Sequence, residues 1–134
     1  MRDVVENHVR SLMVNHLADV ESTDQHTVKP WFVGKLDFAP QVHDFAGAGF
    51  PLVGGRLDYL EGRAVAALVY KRRQHVINLF EWQAPGASDE LGSRPATRQG
   101  YTVFRWTRAG TGYAVVSDLA TSELEEFVRL ASQP

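Results

Sequence analysis

Ala64-Val65-Ala66-Ala67-Leu68-Val69-Tyr70, then Lys71-Arg72-Arg73-Gln74, then His75-Val76-Ile77-Asn78-Leu79-Phe80-Glu81-Trp82: this stretch decides the fold. An unbroken apolar run bounded by polar residues reads as a central strand. The second run is rich in β-branched and aromatic residues, which suit a pleated sheet. Lys71 to Gln74 form the polar end between them. Strands in sequential hairpins need no parallel crossover, so the pattern points away from a doubly wound α/β fold.

Working outward, Leu57-Asp58-Tyr59-Leu60 reads as a short strand that turns at Glu61-Gly62. Residues 83–100 hold two prolines and three glycines without a periodic apolar pattern, so a long loop is expected. Tyr101–Thr107 and Tyr113–Ser117 then form a hairpin across Arg108 to Gly112. Val65, Leu68, Val69, Ile77, Leu79, Phe80, Val103 and Val115 are the expected core of an antiparallel sheet.

Both ends read as helical. In residues 3–20, Val5, Val9, Leu12, Met13, Leu17 and Val20 recur at steps of three and four, with Val4 beside them. Asp3 is placed to cap this helix, and Glu6, Asn7, Arg10, Asn15 and Asp19 form its polar face. A closing helix starts near Thr121 or Ser122, with Leu124, Phe127, Val128 and Ala131 as its stripe and Ser122 and Glu125 as a capping box. Residues 26–52 are punctuated by Pro30, Pro40 and Pro51, and His26 to Val33 reads as an extended stretch bent at Pro30. The expectation is one α+β domain over residues 1–134. It has an antiparallel sheet of about five strands, an N-terminal amphipathic helix and a C-terminal helix.

Composition excludes several classes of function. The chain has 134 residues, enough for one domain with its own core. It has no cysteine, so thiol catalysis, disulfides and Cys-ligated zinc are excluded. A net charge of −2 gives no global basic field for nucleic acid. The basic residues Lys71-Arg72-Arg73 and Arg94, Arg98, Arg105 and Arg108 read mainly as solubility and edge protection. His8 and His16 are eight residues apart, roughly 12 Å along a helix, too far to share one metal ion. Gly47-Ala48-Gly49 lacks the third glycine and the helix that a dinucleotide fingerprint needs. The expectation is a domain that folds without metal or cofactor. Its start is amphipathic rather than a secretory leader, and no apolar run approaches a membrane span.

Three blocks carry a family resemblance: Asp24-Gln25-His26-Thr27-Val28-Lys29-Pro30-Trp31-Phe32, Gly34-Lys35-Leu36-Asp37-Phe38, and Phe50-Pro51-Leu52-Val53-Gly54-Gly55-Arg56-Leu57-Asp58-Tyr59-Leu60. Val65 to Tyr70 and Arg72 to Phe80 continue it. With these blocks the chain resembles the extracytoplasmic part of bacterial transmembrane anti-sigma factors, over roughly residues 4–131. Members of that family join a cytoplasmic sigma-binding domain, often with His and Cys zinc ligands, to one transmembrane helix and a periplasmic domain. The resemblance implies that this chain is the periplasmic piece of a membrane-anchored protein. Its sigma factor would be bound by a cytoplasmic domain that these residues do not contain. It implies no catalytic residue and therefore a regulator, not an enzyme. The first helix, through Val5, Val9, Leu12, Met13 and Leu17, would be the coupling element, packed on its own sheet or on the same helix of a second copy in a homodimer. The alternative is a small-molecule-binding domain or enzyme whose polar lining is His26, Lys29, Trp31, Asp58 and His75.

Overall fold

In the computed structural model, residues 2–13, 17–90 and 94–133 are described. The chain order is α1 (Arg2–Met13), β1 (Val20–Glu21), α2 (Gln25–Trp31), a single 3-10 turn (Ala46–Ala48), β2 (Leu52–Leu60), β3 (Arg63–Arg72), β4 (His75–Gln83), β5 (Ala96–Arg98), β6 (Tyr101–Arg108), β7 (Thr111–Ser117) and α3 (Thr121–Ala131). The fold is α+β. Among the described residues the antiparallel sheet has seven strands, not about five, in the order β1-β2-β3-β4-β7-β6-β5.

The two extra strands are short edges. β5 lies inside the segment read as a loop and pairs with β6 through Ala96, Thr97 and Arg98, all exposed. Three exposed residues leave no apolar periodicity for a sequence reading to find. The same segment returns to the sheet through a bridge between Glu90 and Thr107. β1 pairs Val20 and Glu21 with Gly55 and Gly54. This pairing corrects the expected helix over 3–20: the helix reaches Met13, and Val20 is in a strand. The reason is the close approach that Gly54 permits, since a β-carbon there would collide with the Val20 carbonyl oxygen. Asn15, His16 and the side chain of Met13 lie outside the described residues.

The long apolar runs arise because both faces of the sheet are covered. Along each strand, alternate side chains enter opposite cores. One face joins Ala66, Leu68, Tyr70, Ile77, Leu79, Tyr113 and Val115 to Val28 and Phe32 around α2 and to Leu124 and Phe127 of α3. The other joins Val65, Ala67, Phe80, Val103, Ala114 and Val116 to Val4 and Val5 of α1. All eight expected core residues are buried. The hairpin turns Glu61-Gly62 and Ala109-Gly110 have positive φ at both residues, the twist-matched two-residue turn in which glycine fits best.

The helices depart further from expectation. His26 to Val33 is not extended: α2 begins at Asp24, whose side chain accepts the His26 amide at 2.8 Å. Pro30 sits in the last turn, and Val28 and Phe32 close onto the bare backbone of Gly55. The Ser122–Glu125 capping box does not form. The N-cap is Ala120, without a side-chain cap bond. Instead Arg72 and Arg73 hold Glu123 at 3.3 and 3.0 Å, Arg72 also holds Glu126, and Arg108 donates to the Ser132 carbonyl beyond the helix. On α1, Asp3 lies within the first turn rather than capping it, and accepts the Glu61 amide at 3.2 Å. Val5 is buried and Val9 half-buried, but Leu12 is 43% exposed, while Asn7 of the expected polar face is buried. The helix is turned so that Val4, Val5, Asn7, His8 and Ser11 face the sheet.

Gly112 sits directly beneath the Trp82 indole, which a β-carbon would overlap, whereas Gly47 has open space. Gly112→Ala is expected to destabilise the protein by about 1–3 kcal/mol in denaturant unfolding, with Gly47→Ala near neutral.

Candidate functional site

The buried face of α1 meets an arginine. Arg56 lies in the middle of β2 and is 0% exposed. A guanidinium keeps its proton in a protein and cannot neutralise itself to escape burial. It must therefore be surrounded by acceptors. Its Nε donates to Asp58 Oδ2 at 2.8 Å, two residues along the same strand face. One terminal nitrogen donates to Asn78 Oδ1 at 2.8 Å and to the Leu17 carbonyl at 3.0 Å. The other donates to Asn7 Oδ1 at 2.9 Å. Burial pulls its pKa down and Asp58 opposes that shift.

Donor and acceptor roles propagate outward from this cation. Asn78 Oδ1 accepts from Arg56, so its Nδ2 is the donor end. That nitrogen lies 2.6 Å from His8 Nδ1 and 3.3 Å from Ser11 Oγ. Ser11 in turn donates to the His8 carbonyl at 2.7 Å. His8 Nδ1 is therefore an acceptor, which places the ring proton on Nε2. The ring is 1% exposed and meets Tyr101 edge-on at 5.2 Å. Burial first, and Arg56 second, lower the His8 pKa to about 4, against a smaller opposing pull from Asp118. Asn7 closes the hub by donating to the Tyr59 carbonyl at 3.2 Å. Asn7, His8 and Ser11 thus anchor α1 through hydrogen bonds, with Val4 and Val5 adding an apolar contact beside them. The hub uses its polar groups on one another, so its chemistry is that of a fastening.

The opposite face of the sheet holds a buried acid. Glu81 is 1% exposed, with Ala66 and Tyr113 as its cross-strand neighbours. Its Oε1 accepts the Gln41 amide at 2.8 Å, and its Oε2 has no hydrogen-bond partner among the described residues. Burial pushes its pKa up to about 8, with the Gln41 bond, Lys29 and Arg108 resisting. The carboxyl is therefore mostly protonated at neutral pH.

The residues nominated from sequence fall in three places. His26, Lys29 and Trp31 share α2. His26 and Lys29 are exposed, while Trp31 packs edge-on to Phe32 at 5.0 Å beneath the Lys35 ammonium at 4.5 Å. Asp58 belongs to the Arg56 hub. His75 opens β4, with its Nδ1 2.9 Å from Asp118 Oδ1. Asp58 alone of the five takes part in the hub. Arg56, Asn78, Asn7, His8 and Ser11 carried a faint sequence signal. A charged or amide residue inside an apolar strand requires a buried partner, and Arg56 has Asp58 two positions on. Among the described residues no three His, Asp or Glu side chains gather as metal ligands, and no helix is long and apolar enough to cross a membrane. No protein-family model matches the chain, and a search of curated proteins returned no match.

Arg56→Met removes the cation and leaves Asn7, Asn78 and Asp58 without their donor. It is expected to cost about 3–5 kcal/mol in urea unfolding. Glu81→Gln removes the acid while keeping an acceptor for Gln41. In the wild type, the folded state holds the Glu81 proton while the unfolded state loses it above about pH 4.5. Stability is therefore given up as pH rises from there to about 8, and the variant is expected to gain little at pH 5 but on the order of 2–4 kcal/mol at pH 8.

Proposed function

We propose that this chain is the periplasmic regulatory domain of a membrane-anchored anti-sigma factor, and that α1 is the element through which its state is passed on. The observation that carries the reading is the attachment of α1 by the Arg56–Asn78–His8 hub. An element held by a few directional bonds has discrete docked and undocked arrangements, which is what a signal needs in order to bias an equilibrium. The other face is closed by aromatic and aliphatic packing, including Phe127 against Phe45, Phe50 and Tyr70. Rigid sheet and releasable helix are the two parts of a relay.

The resemblance supports the same reading. Its two most specific blocks form α2 and β2, and they meet where Val28 and Phe32 pack over Gly55. The second block also supplies Arg56 and Asp58 to the hub. The blocks thus supply the cation of the fastening, its carboxylate partner and the wall behind them. The sigma factor would be held by a cytoplasmic domain across one membrane span, and the reading assigns no catalytic residue.

The test uses the full-length gene product in its own cells, with a reporter of the sigma-dependent promoter. Val5→Asp places a charge at a fully buried α1 position, while Leu12→Asp changes an exposed one. With docked α1 as the inhibitory state, Val5→Asp is expected to raise reporter output severalfold at unchanged protein level, and Leu12→Asp to leave it unchanged. A full-length protein that neither reaches the membrane nor co-purifies with a sigma factor would remove the reading.

A further inference from the structure

His8 sits where one proton sets its ring against its hydrogen-bond partner. Its Nδ1 accepts from Asn78 Nδ2 at 2.6 Å, and the Asn78 amide cannot turn over, because its oxygen is held by Arg56. A proton on Nδ1 would set two donors against each other at that distance and place a second cation beside the buried guanidinium. We propose that α1 is an acid-released latch: protonation of His8 breaks its contact with Asn78 and frees the helix from the sheet, while the sheet and its α2–α3 face stay folded.

The groups around His8 bear this out from each element packed against it. β2 offers the Arg56 cation, already matched to Asp58 at 2.8 Å. β4 offers only the neutral Asn78, and β6 the Tyr101 ring. The stretch before β1 brings the Leu17 carbonyl, which is taken by Arg56, and Asp19, which acts on Arg56. After β7, Asp118 pulls toward protonation, but it is half exposed and bonded to His75. On α1 itself, Ser11 donates to the His8 carbonyl.

The sign follows from burial. The docked ring titrates at about 4 against an ordinary 6.5 once released. Docking is thus at full strength above pH 6.5 and weakens as pH falls, by about 30-fold at pH 5 relative to pH 7.5. Glu81 behaves in the opposite sense, because its folded form already holds its proton. Acid therefore loosens the α1 face and spares the other. As a signal input the latch rests on the regulatory role proposed above; as a property of the molecule it does not.

The test is amide hydrogen exchange on the purified chain at pH 7.5 and 5.0, corrected for intrinsic rates, with the His8 ring followed by nitrogen-15 NMR. The expected result is a proton on Nε2 at pH 7.5 and a loss of α1 protection of about 30-fold at pH 5.0, with β3 and β4 unchanged. His8→Asn keeps an acceptor near the Nδ1 position without a titrating ring and is expected to abolish the pH dependence. Should that variant fail to fold, the wild-type exchange profile decides alone. Unchanged α1 protection at pH 5.0, loss of β3 and β4 protection together with α1, or undiminished pH dependence in a folded His8→Asn would each overturn the latch. Because no sigma factor enters this assay, a failed latch and a failed regulatory reading are told apart.

Discussion

A guanidinium that cannot give up its charge and cannot reach water is the constraint from which much of this structure follows. Arg56 needs acceptors on all sides, and they come from α1, the stretch before β1, its own strand and β4. Four segments distant in sequence are thereby fixed in relation to one cation. Hydrophobic contact alone would let α1 roll or slide, because apolar attraction is not directional. Hydrogen bonds at 2.6–2.9 Å define one rotation of the helix, the one that buries Asn7, His8 and Ser11 and leaves Leu12 outside. The arrangement has a vulnerability, since removing any one partner strands another polar group in the interior.

The two faces of the sheet are therefore different kinds of contact. One is broad and aromatic, and α3 is held to it at both ends by arginines of the strands. The other sets a smaller aliphatic cluster beside the polar Arg56 hub. The polar side hides a base, His8, and the aromatic side an acid, Glu81, each neutral near pH 7. Their penalties grow in opposite pH directions, so the two faces weaken under opposite conditions.

The central hairpin was legible because a strand covered on both faces has no polar alternation to confuse it, and Ala64 to Tyr70 is such a run. The closing helix was legible from Leu124 and Phe127. What escaped was whatever depends on distant partners. β1 and β5 are too short to carry a pattern and exist because β2 and β6 offer an edge. α2 reads as extended because Pro30 argues against a helix, yet a proline in the last turn of a short helix removes a single bond, and the cap at Asp24 starts that helix. The face of α1 is not legible because Val5, Val9 and Leu12 make an apolar stripe, while the buried face joins Val4 and Val5 to the polar Asn7, His8 and Ser11 and leaves Leu12 outside. The hub was hidden for the same reason: Arg56 and Asn78 announce a need for partners, but only the folded chain shows that those partners are one another and α1.

The strand order carries one consequence for how the protein is made. β1 to β4 form one meander and β5 to β7 another, and they join through the seven residue pairs of β4 and β7. During synthesis the first meander is complete at Gln83, yet the free edge of β4 stays open until Ser117 has left the ribosome. That edge runs through Ile77, Leu79 and Phe80, an apolar strand with unpaired backbone groups. The nascent chain is thus open to mispairing along this edge over the whole interval between Gln83 and Ser117.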